Sequence, residues 1–268
     1  MKFLDEIVAA TRIRVAEAKR VANAQQLEQL ALAHEPRGFR RSLENAAQHG
    51  VAVIAELKKA SPSRGVIRQE FQVGAIAQQY EQAGAAALSV LTEEKYFLGS
   101  LAFLREASES TRLPCLRKDF ILDEFQLIEA RANRADAVLL IIAMLTDSEL
   151  RSLHKAARGL SLDVLCEVHE ESELQRAVAA GCEIIGVNSR DLRTFQVDLE
   201  TAVQLGKKMP EDVLRVAESG IHDGNDVDRL RAAGYHAFLI GESLMRAEAP
   251  GEALKALIRT GKPVGSGF

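Results

Sequence analysis

From residue 51 onward the chain repeats one pattern eight times, a short apolar run followed by a longer segment whose apolar residues have helical spacing. The runs are five to seven residues long, rich in Val, Ile and Leu, and apolar on both faces over most of their length. They cover residues 51–57, 86–92, 113–119, 137–142, 163–168, 183–189, 214–219 and 237–241. Runs of this kind are typical of parallel strands that are covered on both sides.

The segments between these runs have the features of helices. Val73, Ile76 and Tyr80 form one apolar stripe, and Thr146 is a candidate N-cap. Gly181 stands where a helix needs a C-cap, as does a second glycine further along the chain. The predicted helices cover residues 72–82, 122–133, 147–158, 170–180 and 226–233.

Eight such strand–helix units predict an α/β fold, a single (β/α)8 TIM barrel over residues 51–261. A doubly wound open sheet is the alternative that this pattern leaves open. Residues 1–50 lie outside the repeat, and Ile7 and Val15 fit a helical stripe there. We therefore expect two or three extra helices before the barrel. Since no low-complexity linker separates the parts, we assign residues 1–268 to one domain.

Charge and composition exclude several functional classes. The net charge of −4 provides no basic field for nucleic acid or an anionic membrane. No stretch approaches the roughly 20 apolar residues that span a bilayer, and Asp5 and Glu6 interrupt any secretory signal. The cysteines at 115, 166 and 182 are widely spaced, which fits packed thiols in a reducing compartment. We expect a cytoplasmic protein with neither nucleic acid nor membrane as a partner.

Polar residues end most of the apolar runs, and in a TIM barrel the active site lies at the carboxyl ends of the strands. The period-two alternation of a strand places Glu56 and Lys58 on one face. A surface ion pair is the alternative explanation for these two. The other polar or glycine residues at run ends are Ser61, Arg117, Lys118, Asp119, Glu167, His169, Asn188, Ser189, Arg190, Glu218, Ser219, Gly220, Gly241, Glu242 and Ser243.

Lys118 and Glu167 are the candidates for acid–base chemistry. They end the third and fifth runs, and alternate strands of a TIM barrel share an interior layer. We expect the neighbouring cations Lys58 and Arg190 to lower the pKa of Lys118, which makes it a better acid near neutral pH. A lysine held in an ion pair at the rim is the alternative.

The loops after the last two runs have the features of a phosphate site. Gly220 and Gly241 bring backbone N–H groups close to an anion at the two places where TIM barrels usually bind phosphate. Ser61 of the first loop can join them. The alternative is that both glycines serve only the turns.

Neither a metal nor a nucleotide cofactor is indicated by the sequence. His169 and His222 have no second His or Cys at ligand spacing, so we expect no metal site. The chain also has no dinucleotide fingerprint and no nucleotide-type phosphate loop.

The motifs that carry these residues resemble those of the indole-3-glycerol phosphate synthase family. The matching segments, in chain order, are IAELKKASPSRG, LSVLTEEKYFLGS, LRKDFILDEFQ, VLLI, LCEVH, IGVNSRDL, VAESGI and FLIGESLM. The resemblance runs from about Phe39 to Met245 without a large gap. It implies a carbon–carbon lyase of tryptophan biosynthesis that needs no cofactor. The implied reaction is ring closure, decarboxylation and dehydration of 1-(2-carboxyphenylamino)-1-deoxyribulose 5-phosphate to indole-3-glycerol phosphate.

The resemblance also implies a role for each matching residue. Lys118 corresponds to the general acid, Glu167 to the carboxylate that handles protons during dehydration, and Lys58 to the partner of the benzoate group. The other implied site residues are Glu56 and Asn188 for orientation, Arg190 and Glu218 as polar wall, Ser61, Ser219, Gly220 and Gly241 for phosphate, and Phe97, Phe120 and Leu139 as apolar wall. Glu242 departs from the family, which often has serine there, and we expect only its backbone N–H to face the phosphate.

Two other functions remain open at this point. One is an Amadori isomerase of tryptophan or histidine biosynthesis, another phosphate-binding barrel, although such enzymes use Asp or Cys where this chain has Glu56 and Lys58. The other is a barrel that binds the phosphate ester without turning it over. We expect a phosphorylated small molecule as the ligand, a monomer or weak homodimer, and residues 1–50 folded over the barrel mouth.

Overall fold

A computed structural model of the chain describes residues 2–191 and 194–260. The strands within these residues are β1 (Ala52–Leu57), β2 (Ala60–Ser61), β3 (Gly65–Val66), β4 (Ala87–Leu91), β5 (Cys115–Lys118), β6 (Ala137–Ile141), β7 (Asp163–Val168), β8 (Ile184–Asn188), β9 (Leu214–Glu218) and β10 (Ala237–Ile240). The helices are α1 (Lys2–Val21), α2 (Ala24–Leu32), α3 (Phe39–His49), α4 (Val73–Ala83), α5 (Glu94–Phe97), α6 (Leu101–Ser110), α7 (Glu124–Ala132), α8 (Asp147–Gly159), α9 (Glu171–Ala179), α10 (Leu199–Gly206), α11 (Gly224–Ala232), α12 (Glu242–Arg246) and α13 (Pro250–Thr260).

Eight of these strands close into a parallel barrel in the order β1-β10-β9-β8-β7-β6-β5-β4. Strand β1 pairs with β10 on one side, where Ile54 is opposite Leu239, and with β4 on the other, where Ile54 is opposite Ala87. This closure confirms the predicted TIM barrel, and the open-sheet alternative is wrong. Each predicted apolar run contains one barrel strand, with ends within two residues of those predicted. The remaining two strands, β2 and β3, form a small antiparallel hairpin in the loop after β1.

Strand alternation divides the core into two layers. On β1, Val53, Ala55 and Leu57 pack outward against the helices, whereas Ala52 and Ile54 belong to the cluster inside the barrel. All of these side chains are fully buried. The next inward position along β1 after Ile54 is residue 56, which is a carboxylate. The same parity on the other strands determines which side chains reach the interior at the barrel mouth.

The predicted helix signals are found where the sequence placed them. Thr146 caps α8, with its hydroxyl accepting the N–H of Glu149 and the Glu149 side chain accepting the N–H of Thr146. Gly181 follows the last turn of α9 with a φ of 77°, the left-handed conformation that favours glycine. These ends hold the helices in register with the strands that follow them.

The N-terminal extension runs from one end of the barrel to the other. On α1, Ile7 is buried together with the interior cluster. On α3, Phe39 and Leu43 are fully buried and pack beneath the amino ends of the strands. There Ser42 donates to the carbonyl of Ala86 at 2.6 Å, just before β4 begins. Of residues 1–50, α1 therefore reaches the interior cluster of the barrel, whereas α3 packs at the amino ends of the strands.

A buried carboxylate anchors this extension to the barrel. Asp136 precedes β6, and its Oδ1 lies 3.0 Å from His34 Nε2 and accepts the backbone N–H of Arg37 at 2.7 Å. Its other oxygen accepts the N–H of Cys115 at 2.7 Å. The connection between α2 and α3 is therefore fixed to two neighbouring strands. No helix in the described part of the chain combines the length and the apolar character that a bilayer crossing requires.

Candidate active site

A cavity of about 430 Å³ opens at the carboxyl ends of the barrel strands. Every residue that the sequence singled out for catalysis or substrate binding lines it. These residues are Glu56, Lys58, Ser61, Phe97, Lys118, Phe120, Leu139, Glu167, Asn188, Arg190, Glu218, Ser219, Gly220, Gly241 and Glu242. Segments that are distant in the chain therefore meet at one place.

Strand parity explains why these groups converge. Glu167 lies two residues after the inward-facing Leu165, and Lys118 two residues after the inward-facing Leu116. Glu218 follows Val216 in the same way. Each of these three strands thus has apolar residues in the lower layers and one polar residue in the layer that faces the mouth.

Lys118 is surrounded by carboxylates. Its Nζ lies 3.1 Å from Glu167 Oε2 and 3.8 Å from Glu218 Oε2. Burial alone would lower the pKa of Lys118, but Glu167, Glu218 and Glu56 more than offset this effect and hold the pKa above the usual lysine range. The expectation that Lys58 and Arg190 lower this pKa is wrong, because the carboxylates around Lys118 determine the direction of its shift. Lys118 is an ammonium at neutral pH.

Glu167 is almost completely buried, and it is ionised. Burial acts to raise its pKa, but Lys118, His169 and Asn188 outweigh it and hold the pKa below the usual range for a glutamate. Asn188 Nδ2 donates to Glu167 Oε1 at 3.2 Å. His169 Nε2 lies 3.2 Å from the same oxygen. One carboxylate therefore receives an ammonium on one oxygen and two nitrogen groups on the other.

The pKa of Glu218 is shifted in the opposite direction. Burial and the nearby charge of Glu167 raise its pKa well above the usual range, and Lys118 only partly offsets them. Glu218 therefore holds its proton to a higher pH than a solvent-exposed glutamate does, beside a carboxylate whose pKa is lowered. The space for its side chain comes from Gly186 on β8, because a Cβ at this position would overlap Glu218 Oε1.

Glu56 and Lys58 form a close ion pair inside the cavity. Lys58 Nζ lies 2.7 Å from Glu56 Oε1, and the two side chains are only 14% and 6% exposed for the lysine and the glutamate. Ser89 donates to the other oxygen of Glu56 at 3.4 Å. The alternative of a surface pair is therefore wrong. Gly241 leaves room for this carboxylate, since a Cβ there would overlap Glu56 Oε1.

The loop after β9 turns sharply at the phosphate end predicted for the cavity. Ser219 and Gly220 both have positive φ, 66° and 77°, and a Cβ on Gly220 would overlap the Val197 side chain. Gly241 directly precedes α12, whose first N–H groups have no partner within the helix. The glycines therefore serve the turns and also expose backbone groups to the cavity wall.

Glu242 does not keep its side chain out of the cavity wall. Its carboxylate lies 3.1 Å from Arg64 Nε through one oxygen and 3.4 Å from Arg190 Nη2 through the other. The expectation that only its backbone faces inward therefore needs correction. Arg246 Nη1 also lies 3.9 Å from this carboxylate, so guanidinium groups neutralise it at the cavity wall.

An apolar slot lies on another side of the cavity. The rings of Phe97 and Phe120 have centroids 6.2 Å apart and are tilted by 46°. Leu139 from the barrel and Leu4 and Ile7 from α1 complete the lining. Sequence reasoning missed Leu4 and Ile7, because helical spacing shows that a face is apolar but not what it packs against. It also missed Arg64, a residue in an exposed loop.

Four polar residues at the strand ends do not line the cavity: Arg117, His169, Ser189 and Ser243. Arg117 points outward and is fully buried. Its Nη2 donates hydrogen bonds to Asp119 at 2.9 Å and to Glu129 at 2.8 Å. It supports the strand end that carries Lys118. Parity along β5 was the signal for this, because residues 116 and 118 face inward and residue 117 faces outward.

One group of three side chains in the described residues could hold a metal ion, and it lies outside the cavity. It consists of His154, Cys166 and Cys182. The three cysteines of the chain are free and buried in the layer between barrel and helices, as predicted for packed thiols.

Comparisons with known proteins point in one direction. A family model described as indole-3-glycerol phosphate synthase matches residues 4–257. A protein of Koribacter versatilis named indole-3-glycerol phosphate synthase is 56% identical over 255 residues, which are 95% of this chain and 98% of that protein. A protein of the same name from Variovorax paradoxus is 46% identical over 266 residues, with 96% and 99% covered.

Solved structures with low sequence identity share the fold. A 3-hexulose-6-phosphate synthase is similar with a TM-score of 0.64 at 14% identity, covering 78% of this chain and 99% of that chain. A thiamine phosphate pyrophosphorylase from Pyrococcus furiosus gives a TM-score of 0.60 at 16% identity, covering 80% and 96%. At these identities the similarity concerns the barrel architecture alone.

Proposed function

The chain belongs to the indole-3-glycerol phosphate synthase family, and we propose that the cavity at its barrel mouth performs this reaction with the side chains described above. The enzyme is a carboxy-lyase of tryptophan biosynthesis. The observation that carries the assignment of roles is the meeting of an ammonium, an ionised carboxylate and a protonated carboxyl group at Lys118, Glu167 and Glu218.

The substrate has three recognisable parts, and the cavity has a matching region for each. The phosphate fits the backbone amides around Gly220 and Gly241, together with Ser61. The aryl ring fits the slot between Phe97 and Phe120. Lys58 is the cation for the benzoate carboxylate, at the cost of part of its ion pair with Glu56. Holding the substrate at both ends brings the aryl carbon against the ketone carbon.

Ring closure needs a proton at the ketone oxygen. The ring carbon that bears the carboxylate attacks the ketone carbon, the carbonyl electron pair moves to oxygen, and Lys118 donates its proton there. An alkoxide is far more basic than an amine, so the high pKa of Lys118 does not prevent this transfer. Carbon dioxide then leaves, and its bonding pair restores the aromatic ring.

Dehydration follows with a second donor. Because Lys118 has given up its proton, the protonated Glu218 supplies one to the departing hydroxyl, which leaves as water. Glu167 takes a proton from the adjacent carbon as the new double bond forms. Lys118 and Glu218 together lose two protons, and Glu167 gains one. The net loss of one proton from the site matches the single proton that the decarboxylation consumes overall. Transfer from Glu167 to Glu218 and uptake of one proton from solvent restore the site.

The remaining features of the protein support a cytoplasmic biosynthetic enzyme. We propose that it acts in the cytoplasm because its cysteines are free thiols. We also propose that residues 1–50 act with the barrel as one unit, since Leu4 and Ile7 form part of the cavity wall. A small phosphorylated substrate, no nucleic-acid partner and a monomer or weak homodimer complete the proposal.

The direct test is an assay of the purified protein with 1-(2-carboxyphenylamino)-1-deoxyribulose 5-phosphate. Indole absorbance and fluorescence should appear as the substrate is consumed. An Amadori isomerase would instead form this compound from its aminoaldose isomer and release no indole. Absence of indole product from folded protein would overturn the proposed function.

A further inference from the structure

His169 lies between two carboxylates just outside the cavity. It directly follows the last residue of β7, and its Nε2 is 3.2 Å from Glu167 Oε1. Its Nδ1 is 3.2 Å from Oε2 of Glu173, a residue in the first turn of α9. The imidazole is 14% exposed and the Glu173 side chain 13%. A line of three side chains thus connects the buried Glu167 to the start of a surface helix.

The arrangement determines the charge of the imidazole. A histidine that faces a carboxylate oxygen with each ring nitrogen needs a proton on both nitrogens, and is therefore an imidazolium. Burial would lower the pKa of His169, but Glu167 and Glu173 outweigh it and raise the pKa to about 10. Among the described residues, His169 Nε2 has no hydrogen-bond partner. Its interaction with Glu167 is therefore an ion pair rather than a hydrogen bond.

Glu173 has a second bond that fixes the geometry. Its Oε2 also accepts the backbone N–H of His169 at 2.7 Å. A bond of this kind is common near the start of a helix and needs no imidazole. It does not explain why the ring turns its other nitrogen towards Glu167. The ring is therefore held by one carboxylate and presented to the other.

We propose that His169 is a positioning residue for the reaction: held by Glu173, it keeps Glu167 ionised and occupies one of its oxygens, so that the other stays directed at Lys118. The inference rests on the proposed role of Glu167. His169 does not line the cavity, so it does not contact the substrate.

The charges around Glu167 show why such support is needed. Lys118 from β5 is a cation beside it, whereas Glu218 from β9 and Glu56 from β1 are carboxyl groups packed on the same layer. Asn188 from β8 contributes only a neutral amide. Without the imidazolium, Lys118 would be the only cation left beside Glu167, and the proton of Glu218 would move towards it. Glu167 would then be ionised only at higher pH.

The test is the pH dependence of kcat in H169Q, with indole formation as the readout. We expect the acidic limb of the profile to move up by about one pH unit, so that kcat falls most at the lowest pH tested and recovers as pH rises. KM should change less than kcat. E173Q should shift the limb in the same direction, but by less, because the ring remains.

Glu171→Gln is the matched control, since Glu171 lies on the same helix and pairs with Lys208 at the surface. It should leave the profile unchanged. A loss of kcat in H169Q that is equal at every pH, or a limb that does not move, would overturn the inference. Failure of the wild-type protein to form indole would instead overturn the proposed function, so the two outcomes are distinguishable.

A second measurement does not depend on activity or on the folding of H169Q alone. Protein labelled with 15N-histidine has six labelled imidazole rings, and H169Q or H169N identifies the signals from His169. We expect this ring to keep both protons at pH 8. A neutral His169 ring at pH 7 would overturn the inference whatever the kinetics show.

Discussion

Lys118 Nζ and Glu167 Oε2 lie 3.1 Å apart inside the barrel mouth, although 49 positions separate the two residues in the chain. The contact places a proton donor and a proton acceptor within reach of one bound molecule. It also holds each partner in its charged state, because each lowers the cost of burying the other. The proposed reaction uses both charges, one at ring closure and one at dehydration.

Replacement of Glu167, the proposed proton acceptor, should lower turnover. E167Q keeps the size of the side chain but loses the base and one of its two accepting oxygens. We expect kcat to fall by about a hundredfold or more, with a smaller change in KM. Indole formation under saturating substrate measures this. Glu171→Gln, which removes a surface carboxylate of the same helix that pairs with Lys208, is the control. A decrease of only a few-fold in E167Q would contradict the assigned role.

Gly186 on β8 provides a structural test of the packing around Glu218. G186A adds a methyl group where Glu218 Oε1 now lies, so the carboxyl group must move. We expect a free energy of unfolding lower by about 1–3 kcal/mol, together with reduced turnover. Urea unfolding and the indole assay measure the two effects.

Gly159 is the matched control for that substitution. It ends α8, and a Cβ there would meet no atom within 4 Å. G159A should raise the free energy of unfolding by up to about 1 kcal/mol, because alanine loses less backbone entropy. Equal behaviour of G186A and G159A would show that Gly186 does not make room for Glu218.

The protonated state of Glu218 predicts a pH-dependent stability difference. Its pKa is raised in the folded protein, so the unfolded chain releases this proton from its usual value of 4.5 upward and unfolding becomes easier as pH rises. E218Q has no such proton to release. The stability advantage of E218Q over the wild type should therefore grow as pH increases from about 4.5.

Urea unfolding at a series of pH values measures this advantage. Glu252→Gln replaces an exposed carboxylate that lies 3.7 Å from Lys255, and it should give a difference that hardly changes with pH. An advantage of E218Q that shrinks as pH rises would show that Glu218 is ionised in the folded state.

The ion pairs of Glu242 with Arg64 and Arg190 predict that replacing Glu242 changes the affinity of the cavity for anions. Glu242 occupies Arg64 and Arg190, and a phosphate group must compete with it for them. We expect E242Q to bind inorganic phosphate about threefold more tightly, a modest gain because the site is partly exposed and screened by salt. Competitive inhibition of the indole assay by phosphate measures this, and weaker inhibition in E242Q would contradict it.

Much of the site was predictable because parallel strands have two strict regularities. Alternation places Glu56, Lys118 and Glu167 on inward faces, and the barrel brings the carboxyl ends of its strands together. Both regularities are local in sequence, so the apolar runs were sufficient to apply them. Side-chain parity also predicts that Arg117 points away from its neighbour Lys118.

Other features were not predictable because they depend on contacts between distant segments. The pKa of Lys118 is raised by Glu218 and Glu56, which approach from strands at either end of the barrel sequence. Arg64 and Glu242 meet across 178 positions. The path of residues 1–50 depends on surfaces that exist only once the barrel has closed.

The most direct test of the proposed role of Lys118 is to measure substrate binding and turnover separately in K118A. Fluorescence titration with the substrate gives Kd, and the indole assay gives kcat, with the surface variant K208A as control. Removal of the ammonium should reduce kcat by about a thousandfold while substrate binding through the phosphate and ring regions is largely retained. Folded K118A that turns over substrate at a near-normal rate would contradict the assignment of Lys118 as the general acid.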